Sequence, residues 1–328
     1  MLYRSLLLAI GLIGLHQGTH AQTYAEKLGF PKDRKVIILH VDDAGMSYDS
    51  NEGTRKALTT GVANSTSVMM PCSWVPHFMN LARQNPTWDV GVHLTLTSEW
   101  AGYRWQPLVG KEKAPGLYDT QGCFYPSVEE VDRHAMADEV EAEIRAQIAQ
   151  FRAFGLEPSH LDSHMGTLFQ PKFVERYIKV GIEEKIPVMF PGGHNTLINA
   201  NRSLDANLTK AIGQKLWAAK LPVLDDLFSD TYGWNLPAGQ QPSDQNLRAF
   251  KTQKYVELLK SCRPGLTMII MHCTDPTVVF NRISDSGPTR KGDLLAMLNP
   301  EFRRYIEDNQ IILTTWREIK ERRLQIKE

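Results

Sequence analysis

The sequence has no excess charge of either sign: 37 Lys and Arg stand against 37 Asp and Glu, and no basic block breaks the balance. That removes the usual electrostatic reason to expect nucleic acid as a partner. Cysteine is scarce. Cys72, Cys123, Cys262 and Cys273 lie far apart and form no Cys-x-x-Cys pair, so they make no disulfide framework, although a single bridge stays open. No internal repeat, low-complexity tract or Pro/Gly/Ser linker divides the chain. Long apolar runs are absent too, with one exception at the N-terminus, so nothing argues for a membrane anchor.

That exception has the layout of a signal peptide. Arg4 supplies a positive start, Leu6 to Leu15 is almost unbroken apolar sequence, and Thr19-His20-Ala21 ends in the small residue that a signal peptidase accepts. The run is about half of the ~20 residues that a spanning helix needs. Residues 1–21 are therefore expected to be removed, leaving 22–328 as the exported, periplasmic or extracellular protein.

What recurs along that chain is a short apolar run followed by a helical pattern. The runs are Val36–Leu39, Ser67–Met70, Val90–Val92, Val188–Phe190, Pro222–Leu224, Thr267–Met271 and Ile311–Leu313, with His160–Asp162 as a more polar eighth. Runs apolar on both faces suit parallel strands covered by helices. The clearest helix is Asp138 to Phe154, where Val140, Ile144, Ile148 and Phe151 recur at helical spacing and Gly155 marks the stop. Seven or eight such units predict a single-domain α/β fold, a (β/α) TIM-like barrel. Two connections are long, Glu99–Val128 and Pro191–Leu221, and the second contains a plausible helix around Leu208–Ala219.

In such a barrel the catalytic groups sit at the C-terminal strand ends. Four runs end in titratable residues: His40-Val41-Asp42-Asp43, Gly91-Val92-His93, His160-Leu161-Asp162-Ser163-His164, and His272-Cys273-Thr274-Asp275. Barrel closure brings these ends to one mouth. A hard or borderline divalent cation takes about three carboxylate and imidazole ligands and keeps a position open for water. Asp43, His93 and His164 meet that need. Singly, each has a plainer explanation: paired aspartates cap helices, and a lone His after a strand is usually structural.

Val41-Asp42-Asp43-Ala44-Gly45-Met46-Ser47, with Asn51 and Gly53 following, resembles the Asp-Asp-Phe-Gly-Leu-Ser opening of the YdjC-like (ChbG-type) carbohydrate deacetylases. Gly91-Val92-His93-Leu94-Thr95-Leu96-Thr97, His160-Leu161-Asp162-Ser163-His164 and Met271-His272-Cys273 resemble its later motifs, in order, from about Lys35 to Trp316. The resemblance implies a distorted (β/α) barrel related to the polysaccharide deacetylases. It implies removal of N-acetyl groups from chitooligosaccharide-type substrates with one divalent metal ion. Carried onto this chain, the ligands are Asp43, His93 and His164, the general base is Asp42 and the acid is His272. Family members commonly follow the third motif with further histidines, where this chain has Met165-Gly166. Ala44 replaces the family's Phe beside the aspartates.

Amide hydrolysis gives these roles a physical reason. A zinc or magnesium ion polarises the carbonyl and activates water, Asp42 takes the water's proton, and His272 protonates the leaving amine. His160, Asp162 and Asp275 are candidates to orient the imidazoles. Tyr103, Arg104 and Trp105, near Trp100 in the loop after the third run, are candidates for sugar contact, with loop anchoring as the alternative. Two other functions remain open. A glycoside hydrolase would separate its carboxylates by roughly 5–9 Å and leave the histidines without a purpose. A non-catalytic glycan-binding barrel would hold sugar without metal chemistry.

Overall fold

The computed structural model describes residues 22–201 and 205–327; the signal peptide expected over residues 1–21 lies outside them. Among the described residues a 7-stranded parallel sheet comprises β1 (Lys35–Ala44), β2 (Ser65–Val68), β3 (Val90–Leu94), β4 (Leu161–Ser163), β5 (Asp226–Phe228), β6 (Gly265–Met271) and β7 (Ile312–Leu313). The order is β4-β3-β2-β1-β6-β5, with β7 also against β1.

Two expected strands, Val188–Phe190 and Pro222–Leu224, form no ladder of their own. Prolines 187, 191 and 222 lack the N–H that a ladder needs. These segments still carry the sheet round, through single bridges pairing Leu161 with Val188 and Pro191 with Leu224. Asp225 then donates its N–H to Leu266 O at 2.8 Å, returning to β6. The result is the expected (β/α) barrel, curled and distorted.

The two-residue period of a strand explains how the barrel positions a site. On β1, Ile37, Leu39 and Val41 pack against the outer helices, whereas Val36 and Ile38 pack inward with Leu266, Met268 and Ile270 of β6. Each inward file changes character towards the C-terminal end. Val36 and Ile38 give way to His40 and Asp42; Met268 and Ile270 give way to His272. The helix expected over Asp138–Phe154 spans Ala137–Ala153, buries Val140, Ile144, Ile148 and Phe151, and stops at Gly155, whose φ of +81° suits glycine. The long connection after residue 191 holds helices Thr196–Asn201 and Ala206–Ala218. All four cysteines are buried and unbridged.

The opposite end of the barrel is sealed by a buried carboxylate. Asp225 accepts N–H bonds from Tyr24 (2.8 Å), Ala25 (3.0 Å) and Leu266 (2.8 Å). Tyr24 and Ala25 open the short helix Tyr24–Lys27, so Asp225 satisfies donors that no helical carbonyl can reach. Asp225→Ala strands all three, each costing about 1–3 kcal/mol when buried. Urea unfolding is expected to show a loss of about 3 kcal/mol or more. A loss well under about 1 kcal/mol would mean that water replaces the carboxylate.

Candidate active site at the barrel mouth

Neighbouring residues of a regular strand point to opposite faces, so Asp42 and Asp43 would not both reach the mouth. Two irregularities bring them together. The register of β1 on β2 shifts between Val41 and Ala44, and Asp43 has a φ of 67°, a left-handed conformation that Asp tolerates better than most residues. Gly45, with φ +85°, completes the turn and donates its N–H to Asn51 Oδ1 at 2.7 Å.

Three donor atoms then face one another. Asp43 Oδ1 lies 3.3 Å from His93 Nε2 and 3.4 Å from His164 Nδ1, and those nitrogens are 3.2 Å apart. Asp43 Oδ1 is buried and has no hydrogen-bond partner. Ligands about 2.0–2.1 Å from a tetrahedral centre lie about 3.3–3.4 Å apart, so these atoms have the spacing of one face of such a site. Each imidazole also has its outer nitrogen committed to a carboxylate. His93 Nδ1 is 2.8 Å from Asp162 Oδ1, and His164 Nε2 is 3.2 Å from both oxygens of Glu99. Such partners turn the other nitrogen of each ring towards a metal. Two alternative groupings, Asp42/His93/Asp162 and His40/His160/Asp162, depend on Asp162 oxygens that already face His93 and His40.

Electrostatics follow from this crowding. Burial works against the Asp43 carboxylate, but the Arg290 guanidinium at 2.7 Å, helped by His164 and His93, holds it well below the ordinary range. Burial likewise opposes protonation of the imidazoles, and the carboxylates outweigh it. Asp42 and Asp162 raise His93 well above the usual value; Glu99 and Asp43 raise His164 to about 9. His40, 3.1 Å from Asp42 Oδ1 and 2.9 Å from Asp162 Oδ2, is also raised to about 9. His272 differs. Its Nε2 is 4.0 Å from Asp42 Oδ2, its Nδ1 has no partner, and burial holds it below the ordinary imidazole value.

The structure thus gathers Asp42, Asp43, His93, His164 and His272 around a cavity of about 510 Å³. Asp162 sits behind His93. His160 lies deeper, stacked on Trp316 with ring centroids 5.1 Å apart, and lines no part of the cavity. Asp275 points away, bound to Lys56. Met165 is exposed at the rim, where its φ of 51° turns the chain and leaves His164 directed inward.

Tyr103, Arg104 and Trp105 stand behind the cavity wall. The Tyr103 hydroxyl donates to Met46 O (2.6 Å), Arg104 is held by Asp119 (2.7 Å), and Trp105 Nε1 donates to Thr97 O (2.8 Å). From that loop it is Trp100 that lines the cavity, with Tyr232 from a separate turn. Arg290 and Glu99 are site residues that sequence reasoning missed. Arg290 comes from the helix Gly287–Met297, and its guanidinium carbon lies 5.2 Å from the Tyr232 ring centre and 5.8 Å from that of Trp100. Neither residue belongs to a motif; the only signal was the position of Glu99 just beyond a strand-end His.

A model of the YdjC-like protein family matches residues 36–308. A carbohydrate deacetylase of Thermus thermophilus is 31% identical over 296 residues, covering 90% of this chain and 97% of its own. A chitooligosaccharide deacetylase of Yersinia enterocolitica is 30% identical over 155 residues, covering 47% of this chain and 58% of its own. Among solved structures, an Enterococcus faecalis protein described as a cellobiose-phosphate cleavage protein superposes with a TM-score of 0.69 at 23% identity, covering 86% of this chain and 98% of its own. That structure shares the fold. The family match takes in both aspartates and all three histidines of the site, and the chain belongs to the YdjC-like protein family.

Proposed function

We propose that this protein is an exported, metal-dependent carbohydrate deacetylase that removes N-acetyl groups from chitooligosaccharide-type amino sugars. The observation that carries the reading is the set of three inward donors, Asp43 Oδ1, His93 Nε2 and His164 Nδ1, spaced 3.2–3.4 Å apart. The relatives named above support the substrate class. One divalent ion, zinc or magnesium, would sit on these atoms; it would polarise the amide carbonyl and bring the pKa of water towards ~7.

The chain's own groups supply the rest. Asp42, held by His40 at Oδ1 only, takes a proton from the attacking water, because Asp43 occupies the donor position and pairs with Arg290. His272, 4.0 Å from Asp42, delivers a proton to the departing nitrogen, which cannot leave as a bare anion. Asp162 and Glu99 fix the two ring orientations. Trp100 and Tyr232 offer faces to a pyranose at the rim.

The purified protein is expected to contain about one divalent ion by elemental analysis, and a chelator should abolish acetate release from N-acetylated chitooligosaccharides. Asp42→Asn should retain the metal and lose about 10²–10⁴ in kcat. Full activity in metal-free protein, or in that variant, would sink the mechanism.

Metal affinity should depend on pH in a definite direction. In the metal-free site His164 holds its proton up to about 9, and binding must expel it. Affinity is therefore expected to rise with pH up to about that value and to weaken below it, with proton release measurable by calorimetry in buffers of different ionisation enthalpy. Binding without proton release at neutral pH would contradict this ligand set.

His272 acts as an acid only while protonated, and burial lowers its pKa from the ordinary 6.5. The kcat/KM profile should therefore fall on its alkaline side with a midpoint below 6.5, a limb lost in His272→Asn. An unchanged limb in that variant would assign the acid elsewhere.

A further inference from the structure

The cavity also carries an apolar lining that the chemistry of acetyl removal does not call on. Beside the charged groups, Phe169, Met189, Pro191, Ile198, Leu227 and Ile270 line the same space of about 510 Å³. Ile270 lies two residues before His272 in the inward file of β6, and Leu227 pairs in register with Met268, a layer lower. The Met189 N–H bonds to Leu161 O, below His164 on its own chain. The apolar half therefore runs from the donor atoms down into the barrel. Ile270 keeps 6% of its surface accessible and Ile198 keeps 8%, whereas Met268 and Ile269 keep none, so the first two face open space.

An acetyl methyl is about the size of one water, roughly 30 Å³, and covers only a small part of this apolar lining. Ser163, Ser229, Asp230 and Tyr232 in the same lining offer partners to a pyranose, whose hydroxyls would find none against the six apolar side chains. An acyl chain starts at the carbonyl carbon itself, beside the donors.

We infer that the site takes N-acyl amino sugars whose acyl chain is longer than acetyl and lies in this apolar half. The inference rests on the deacetylase reading above. Water adds across the amide: a C–O bond forms, the C–N bond breaks, a proton goes to nitrogen, and the products are a fatty carboxylate and the free amino sugar.

The test is an N-acyl glucosamine series (acetyl, butanoyl, hexanoyl, octanoyl) with the metal-loaded protein. The value of kcat/KM is expected to rise by roughly fourfold for each methylene that enters the chamber. Leu227→Phe and Ile198→Phe should each cut the octanoyl-to-acetyl ratio about tenfold. Calorimetric binding of the same amides to chelator-treated protein provides a second readout, with affinity rising along the series and a negative heat-capacity change. Rates and affinities that are flat or fall with chain length overturn the inference. So does a gain confined to a hexyl glycoside of N-acetylglucosamine, which would place a glycoside tail in the chamber. Binding that tightens with chain length while no amide is ever cleaved supports the chamber and overturns the deacetylase reading instead.

Discussion

Three carboxylates, Asp42, Asp43 and Asp162, converge in a space nearly closed to water, and the rest of the site is arranged around that cost. Buried anions persist only when neighbouring groups neutralise them. Arg290 is the permanent cation at Asp43, and the remaining compensation comes from His40, His93 and His164, whose raised pKa values record the same field from the other side. Protons on the imidazoles and a divalent ion between them are two solutions to one electrostatic problem. A cluster balanced by protons at neutral pH is one from which a cation can displace them.

The scaffold makes the cluster possible by separating two tasks along each strand. The lower residues of β1 and β6 build an apolar interior, and the upper residues turn titratable. A second buried network fixes the rim. Lys251 Nζ donates to Asp293 Oδ1 (2.8 Å) and Thr231 O (2.9 Å), Tyr255 donates to the same carboxylate (2.7 Å), and Asp293 Oδ2 accepts the His272 N–H at 3.1 Å. One carboxylate thus ties two helices to the strand end that carries His272 and to the turn that presents Tyr232.

Much of this was legible in the sequence because strand ends are legible. Asp42, Asp43, His93 and His272 each follow an apolar run, His164 follows the more polar His160–Ser163, and a barrel allows such ends only one meeting place. What escaped depends on backbone detail or on distant helices. Prolines 187, 191 and 222 turned two expected strands into single bridges, although both runs read as apolar. Arg290 lies mid-helix, where charge usually means a solvated face, and only its approach to Asp43 across 247 positions reveals its part. Tyr103, Arg104 and Trp105 had the right chemistry for sugar contact. Loop direction is set by local hydrogen bonds that composition does not encode, and those bonds turn all three behind the wall and leave Trp100 at the surface of the cavity.

The left-handed turn at Asp43 finally explains how two adjacent, chemically identical residues come to differ. A regular strand would have sent one of them to the outer helices, leaving a single carboxylate at the mouth. The turn instead places Asp43 under Arg290, with its second oxygen facing two imidazoles. Asp42 stays in the inward file above His40 and opposite His272, with no guanidinium on it. Environments that differ in this way assign different work to like groups. Asp43 is clamped by Arg290 and held ionised, with its other oxygen on the two imidazoles. Asp42, flanked by His40 and His272, keeps a different set of neighbours.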